Sequence, residues 1–318
     1  MPPTASAPPG PTDFLTLGDL DREALLGLLD AAAGYKRARP HGPTAWLAGL
    51  HVALVMEKAS TRTRVAFEVA IRELGGHATL LTTDGTQLGR GEPIEDTARV
   101  LDRFCHAIVF RTAGDERLQR MAAAARGPVI NALTDREHPC QIVADLLTVR
   151  EHKGALDLAY AWIGDGNNMA HSWLHAAGIL GLRLTLACPE GFRPDPDIVA
   201  RARAAGATVA IVDRPDQAAA GADVVMTDVW ASMGQEHEAR ARAAAFDGYL
   251  VDEALLAGAA PDAIVLHCLP AHRGEEIAAE IIDGPRGVAI WDQAENRLHT
   301  HKAILERALT GGARGPTR

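Results

Sequence analysis

An α/β protein of two doubly wound parallel-sheet domains joined by bridging helices is what the sequence predicts, on three observations. The chain has 318 residues, a length that suits roughly two domains of ~150 residues each. Short apolar runs alternate with segments of helical periodicity along most of it, the βαβα pattern of a parallel sheet covered by helices. Clusters of polar residues fall directly after the apolar runs, where open α/β sheets bind their ligands.

The elements follow in order. Five prolines, Pro2, Pro3, Pro8, Pro9 and Pro11, predict a disordered leader over 1–13. Residues 21–33 carry apolar side chains at helical spacing, and 45–56 approach a buried strand. Helices are then expected at 61–74, 93–104, 116–125 and 138–152, with strands between them at 77–81, 106–110 and 128–132. The second half repeats the scheme. Its strands are expected at 157–163, 183–187, 208–212, 223–227, 263–267 and 288–291, and its helices at 170–180, 196–205 and 236–245, with a short one after Gly274. Pro196 fits the first turn of its helix with Asp195 as the cap. Right-handed crossovers make each half an open sheet. The expected domains are therefore 14–150 and 151–293, with a linker near Gly154 and the helix before it as a bridge. A last helix over 295–309, in the segment 294–318, returns to the first domain.

Composition narrows the partners. With 32 Lys and Arg against 41 Asp and Glu the net charge is −9, and only 4% of residues are aromatic, so the basic stripe and stacking platforms of a nucleic-acid binder are missing. No apolar run reaches the ~18 residues of a membrane span. No basic residue precedes Arg22, and Asp13 is acidic, which suits neither a secretory signal nor an Arg-rich transit peptide; the expected address is the cytoplasm. Cys105, Cys140, Cys188 and Cys268 form no C-x-x-C pair, so neither a disulfide framework nor a structural zinc site is expected. The histidines show no H-E-x-x-H or other metal pattern.

The polar clusters carry the chemistry. Ser60-Thr61-Arg62-Thr63-Arg64 follows a strand and opens a helix, where free N–H groups and the helix dipole favour an anion. Its hydroxyls and guanidiniums add donors, Arg in bidentate geometry, although no Walker A glycines precede them. A Ser cap followed by solvated arginines is the plainer reading of the same residues. Arg111 stands at the carboxyl end of a strand, and His138-Pro139-Cys140-Gln141 opens the bridging helix. Gly164-Asp165-Gly166-Asn167-Asn168-Met169 nearly matches the dinucleotide fingerprint G-x-G-x-x-G, with Met169 in place of the third glycine. That turn supports an NAD-dependent oxidoreductase as a rival. Asp228 ends a strand ahead of Ser232-Met233-Gly234, and an acid there suits a cationic amine; a cap or turn residue is the alternative. His267-Cys268-Leu269-Pro270 closes another apolar strand.

Together the Ser60 to Arg64 cluster, His138-Pro139-Cys140-Gln141, the stretch from Asp228 through Ser232-Met233-Gly234, and His267-Cys268-Leu269-Pro270 resemble the aspartate/ornithine carbamoyltransferase family, in order along nearly the whole chain. The last two motifs are similar to those of its ornithine-using members. The resemblance implies transfer of a carbamoyl group from carbamoyl phosphate to the δ-amine of L-ornithine, giving L-citrulline and phosphate. It implies that Ser60, Thr61, Arg62 and Thr63 hold the phosphate, with Arg111 on phosphate and carbonyl oxygens. His138, Gln141, Arg297 and the backbone at Cys268 and Leu269 would hold the carbamoyl group. Asn168, Asp228, Ser232 and Met233 would bind ornithine, with Asp228 orienting the amine and Cys268 assisting its deprotonation. Gln87 would reach a neighbour's site in a homotrimer or a multiple of trimers. No cofactor and no resident metal are implied, although zinc would inhibit by capturing the Cys268 thiolate. Transfer to another amine such as putrescine, and a non-catalytic metabolite-binding protein, are the further alternatives.

Overall fold

A computed structural model describes residues 12–39, 45–231 and 239–311, so most of the proline-rich leader, Ser232 and Met233 lie outside the described residues. The chain divides by contact into two compact units, one of residues 1–19, 23–140 and 297–318, the other of 20–22 and 141–296.

The first unit holds β1 (His51–Met56), β2 (His77–Thr82), β3 (Ala107–Arg111) and β4 (Val129–Leu133). Its helices are α1 (Arg22–Ala38), α2 (Thr61–Glu73), α3 (Ile94–Leu101) and α4 (Asp115–Ala124). All pairings are parallel, in the order β2-β1-β3-β4. The β1 run Val52 to Met56 is buried throughout because helices cover both faces of such a sheet. On one face Ala53, Val55, Ile108, Phe110 and Val129 pack against Ile94, Ala98, Leu118 and Met121 of α3 and α4. Chain order reverses between β1 and β3, and their register ends with Met56 opposite Arg111. That reversal opens the crevice in which α/β sheets hold ligands.

The second unit is built the same way. Its strands are β5 (Ala159–Ile163), β6 (Arg183–Ala187), β7 (Thr208–Val212), β8 (Val224–Thr227) and β9 (Ile264–His267), parallel in the order β7-β6-β5-β8-β9. Chain order reverses between β5 and β8. Around the strands lie α5 (Pro139–Lys153), α6 (Asn168–Leu180), α7 (Pro196–Ala204), α8 (Pro215–Ala219), α9 (Ala239–Ala245), α10 (Glu253–Leu256), α11 (Ala279–Ile282) and the first turns of α12 (Val288–Thr310), which from Arg297 onward belongs to the first unit. Asp195 caps α7 through Asp197 N–H with Pro196 in its first turn. The four- and five-residue helices α10 and α8 are too short to show a periodicity, and the sequence does not reveal them.

One expected strand is absent. Residues 288–291 are the first turn of α12, not a strand. Ala289 and Ile290 are buried side by side while Val288 and Trp291 are about half exposed. A strand would bury alternate residues; an adjacent pair followed by buried Gln293, Asn296 and Arg297 is helical spacing. A four-residue apolar run cannot distinguish the two by itself. The division by contact falls after Cys140, at the start of the bridging helix α5. The cause is α5, whose Asp145 accepts from Gln293, whose Thr148 and Glu151 accept from Asn296, and whose His152 meets Asp292.

Candidate active site

In the first unit the polar groups gather at the β1/β3 reversal. Ser60 is extended (φ −162°, ψ 108°) and caps α2, its Oγ accepting from Thr63 N–H at 3.2 Å. The hydroxyl of Thr63, fully buried, accepts from two guanidiniums, Arg297 Nη2 at 2.5 Å and Arg111 Nη1 at 3.5 Å. Thr61 is exposed and Arg62 half-buried, and Arg62 has no hydrogen bond or ion pair to a described residue. His138 is buried, and its pKa is lowered well below the ordinary imidazole value by desolvation, then by the charges of Arg297, Arg111, His301 and Arg62. A neutral imidazole amid several guanidiniums at a helix N-terminus makes a site for an anion with an uncharged donor beside it. Beside this corner Glu57 accepts from Thr112 and Arg117, and Lys58 pairs with Asp135. Gln87 is exposed, in the short turn Gln87–Arg90.

Behind this corner α12 packs on α2. His301 and Phe67 each lie four residues beyond the bonded pair Arg297 and Thr63, and their rings stack at 3.7 Å between centroids and 10° between planes. His301 is fully buried, and desolvation and then Arg297 lower its pKa well below 6.5. As pH falls below ~6.5, the unfolded chain binds a proton here that the folded chain refuses, so stability drops by up to ~1.4 kcal/mol per pH unit. Glu137 works the other way. Burial pushes its carboxyl up to about 7 against hydrogen bonds from Thr16 and Leu17, so protonating it favours the fold. Comparing the protein with its His301→Gln variant cancels Glu137. Urea unfolding at two pH values, one near neutrality and one about 1.5 units lower, should show the parent losing ~1 kcal/mol more than the variant. Equal losses would mean that His301 is charged in the folded state.

In the second unit the β5/β8 reversal brings together turn 164–168 and Asp228. Asn167 caps α6, its Oδ1 accepting from Met169 N–H at 2.9 Å, which leaves Nδ2 to donate to Asp228 Oδ2 at 3.0 Å. Asp228 Oδ1 accepts from the Cys268 thiol at 3.1 Å. This amide was not among the expected site residues. The expected one, Asn168, is the first residue of α6, with its carbonyl accepting from Ser172. The turn after β9 is held from below: His267 Nδ1 accepts from Leu269 N–H at 2.9 Å, so the ring proton is on Nε2 and donates to Glu276 Oε1 at 3.0 Å, both side chains being fully buried. Leu269 sits at φ +61° and precedes a cis proline. A non-glycine residue there marks a tightly determined turn. Burial pushes the thiols of Cys140 and Cys188 up to about 12, so neither is a reactive thiolate near neutrality. Gln141, Cys268 and Leu269, expected to share the carbamoyl group with His138, belong by contact to this second unit, and Gln141 Nε2 donates to Asp145 at 2.8 Å.

The glycine turn is not shaped for a dinucleotide. Gly166 N–H donates to Phe192 O at 2.8 Å, and a Cβ on Gly166 would lie 2.2 Å from Pro194 N. The glycine admits the protein's own backbone where a pyrophosphate would need to approach. Asp228, His267 and Cys268 offer metal-ligand atoms within 4.8 Å of one another, as do His272, Glu275 and Glu276, but both His267 nitrogens are already engaged.

An anion corner on one sheet and a carboxylate beside a thiol on the other are the equipment of a group-transfer enzyme that takes an anionic donor and a cationic acceptor. The chain belongs to the aspartate/ornithine carbamoyltransferase family: residues 12–151 match its carbamoyl-P binding domain and 156–308 its Asp/Orn binding domain. It is 52% identical over 295 residues to the ornithine carbamoyltransferase of Geobacter sulfurreducens, covering 92% of this chain and 97% of that one. It is 55% identical over 313 residues to that of Acidothermus cellulolyticus, covering 95% and 98%. Among solved structures, the ornithine carbamoyltransferase from Pyrococcus furiosus superposes with a TM-score of 0.90 at 43% identity, over 97% of this chain and 100% of that one. The enzyme from Gloeobacter violaceus does so with a TM-score of 0.83 at 48% identity, over 95% and 99%.

Proposed function

We propose that this enzyme transfers the carbamoyl group of carbamoyl phosphate to the δ-amine of L-ornithine, giving L-citrulline and phosphate. The observation that carries the reading is the Asp228 carboxylate, held by Asn167 and touching the Cys268 thiol, on the unit that matches the acceptor-binding domain. Ser60, Thr61, Arg62 and Thr63 take the phosphate at the N-terminus of α2, and Arg111 binds phosphate and carbonyl oxygens. Neutral His138 donates to the carbamoyl oxygen, which Arg297 also faces. As the tetrahedral intermediate forms, these donors meet the growing negative charge, typically worth several kcal/mol in a dry site. Asn168, Ser232 and Met233 hold ornithine, and Asp228 orients its amine. The δ-nitrogen forms the new C–N bond, its proton passes to the departing phosphate, or to Cys268 Sγ once that thiol has given up its own proton, and the C–O bond to phosphate breaks.

Only the neutral amine attacks, and an alkyl amine has a pKa of ~10.4. The expected result is that kcat/KM for ornithine climbs about tenfold per pH unit from neutrality toward the pKa of the reacting amine; a flat profile would remove deprotonation as the controlling step. A colorimetric citrulline assay with ornithine, run beside putrescine, lysine and N-acetylornithine, tests the reaction itself. Turnover with ornithine well above the others is expected, and preference for putrescine would overturn the acceptor. The assembly that suits Gln87 is a homotrimer or a multiple of trimers, and the cytoplasm is the matching location. Among the described residues no helix is long and apolar enough to cross a membrane.

A further inference from the structure

The loop after β9 holds a carboxylate whose charge no Lys or Arg answers. Glu276 is fully buried; its Oε1 accepts from His267 Nε2 at 3.0 Å and from His272 N–H at 2.6 Å, and its Oε2 has no hydrogen-bond partner. His267 is neutral, because its Nδ1 accepts from Leu269 N–H. A buried carboxylate without a cation is costly. Two exposed side chains stand beside it. His272, Glu275 and Glu276 offer ligand atoms that all lie within 4.8 Å of one another, and His272 Nδ1 is 3.5 Å from Glu275 Oε2. The chain is shaped to bring them together: His272 to Glu275 form a turn, with Glu275 N–H donating to His272 O at 3.0 Å and Gly274 at φ +87°, the left-handed conformation that such a turn asks of its third residue. Ile277 bridges both Arg273 and Val251 and so fixes the far side of the loop. Arg273, the nearest cation along the chain, is engaged by Asp283 through two hydrogen bonds of 2.8 and 2.7 Å.

We propose that His272, Glu275 and Glu276 form a binding site for a divalent first-row metal ion of the Mn2+ class, held by one imidazole nitrogen and two carboxylate oxygens with water in the remaining positions. Glu276 Oε2 is the inner ligand. Ligands about 2.1 Å from one ion lie about 3–3.5 Å apart, so the imidazole and the outer carboxylate already stand at a ligating separation. Rotation of these two exposed side chains closes the site on Oε2. A set of oxygen and imidazole donors suits Mn2+, whereas the group of Asp228, His267 and Cys268 offers a soft thiol. The ion supplies the positive charge that Glu276 lacks. It also braces the turn that carries Cys268, because Glu276 holds His267 and His267 holds the N–H of Leu269.

The test uses the full chain, free of any histidine tag and stripped with EDTA, and Mn2+ alone. Titration followed by the electron paramagnetic resonance of free Mn2+ should show one saturable site per chain, and Mn2+ should raise the midpoint of thermal unfolding. His272→Gln and Glu275→Gln, both at exposed positions, should each weaken binding about tenfold or more and shrink the thermal shift. Cys268→Ser, in the other candidate cluster, should leave both readouts unchanged. Glu276→Gln keeps the shape and removes the buried charge, and it should lose the site as well; if that variant does not fold, the two exposed positions decide. No saturable binding at millimolar Mn2+ would overturn the proposal. So would parental binding in either His272→Gln or Glu275→Gln, or a loss confined to Cys268→Ser.

Discussion

Replacing Arg62 with alanine is expected to cut kcat/KM for carbamoyl phosphate by about 10³ or more, while stability stays within about 0.5 kcal/mol of the parent. The reason for choosing this arginine is structural. Arg111 and Arg297 are buried and both donate to Thr63, so their removal strands a buried hydroxyl and mixes stability with function. Arg62 is half-buried in the first turn of α2 and has no hydrogen bond or ion pair to a described residue. Its charge nevertheless reaches the site, since it is one of those that hold His138 neutral. Arg62→Lys should recover only part of the loss, because an ammonium supplies charge without the two parallel N–H groups that match a phosphate. Steady-state kinetics with carbamoyl phosphate varied, beside inhibition by inorganic phosphate, measure both effects. Near-normal turnover in Arg62→Ala would sink the anion site.

Asp228→Asn is expected to lower kcat/KM for ornithine by about 10²–10³ and to leave carbamoyl phosphate affinity unchanged. The side chain keeps its shape but cannot keep its contacts. Asp228 accepts on one oxygen from Asn167 Nδ2 and on the other from the Cys268 thiol. An amide in its place must turn its NH2 toward one of those donors, a mismatch costing about 1–2 kcal/mol and not enough to unfold the chain. The lost negative charge removes the partner that orients a cationic or newly neutral amine. Separate titrations of each substrate make the test selective: equal loss of affinity for both would mean a general collapse of the site rather than loss of an acceptor contact.

Much of this protein is legible in one dimension because parallel α/β folding is local and repetitive. A strand covered on both faces reads as an apolar run, as from Val52 to Met56, and the chain returns through an amphipathic helix each time. The ends of β6 and β7 were predictable to the residue. The proposed ligand residues are readable for a related reason, since Ser60, Arg111, Asp228 and Cys268 stand at or just after strand ends. Failures came where the signal is short or shared. Residues 288–291 are apolar enough for a strand and too few to show their helical phase. Helix α5 reads as a bridge ahead of the linker near Gly154, but its sequence does not show that Asp145, Thr148 and Glu151 bond to the first half of α12, nearly 150 residues away. No local pattern encodes that partnership.

The sequence by itself determined the class of fold, the strand-end location of the chemistry and the types of group there, because periodicity and strand-to-helix corners are properties of neighbouring residues. Only the tertiary structure decided which of those groups meet. Sheet order places β1 beside β3 and β5 beside β8, which brings Arg111 to the Thr63 hydroxyl and Asn167 to the Asp228 carboxylate, while helix packing brings Arg297 of α12 to the same hydroxyl and Arg242 of α9 to Asp165. The same packing closed the glycine turn against Pro194 and settled it as a backbone crossing. Hydrogen bonds and ion pairs act over about 3 Å, and which residues come that close depends on how the strands are ordered, not on how the residues are spaced along the chain.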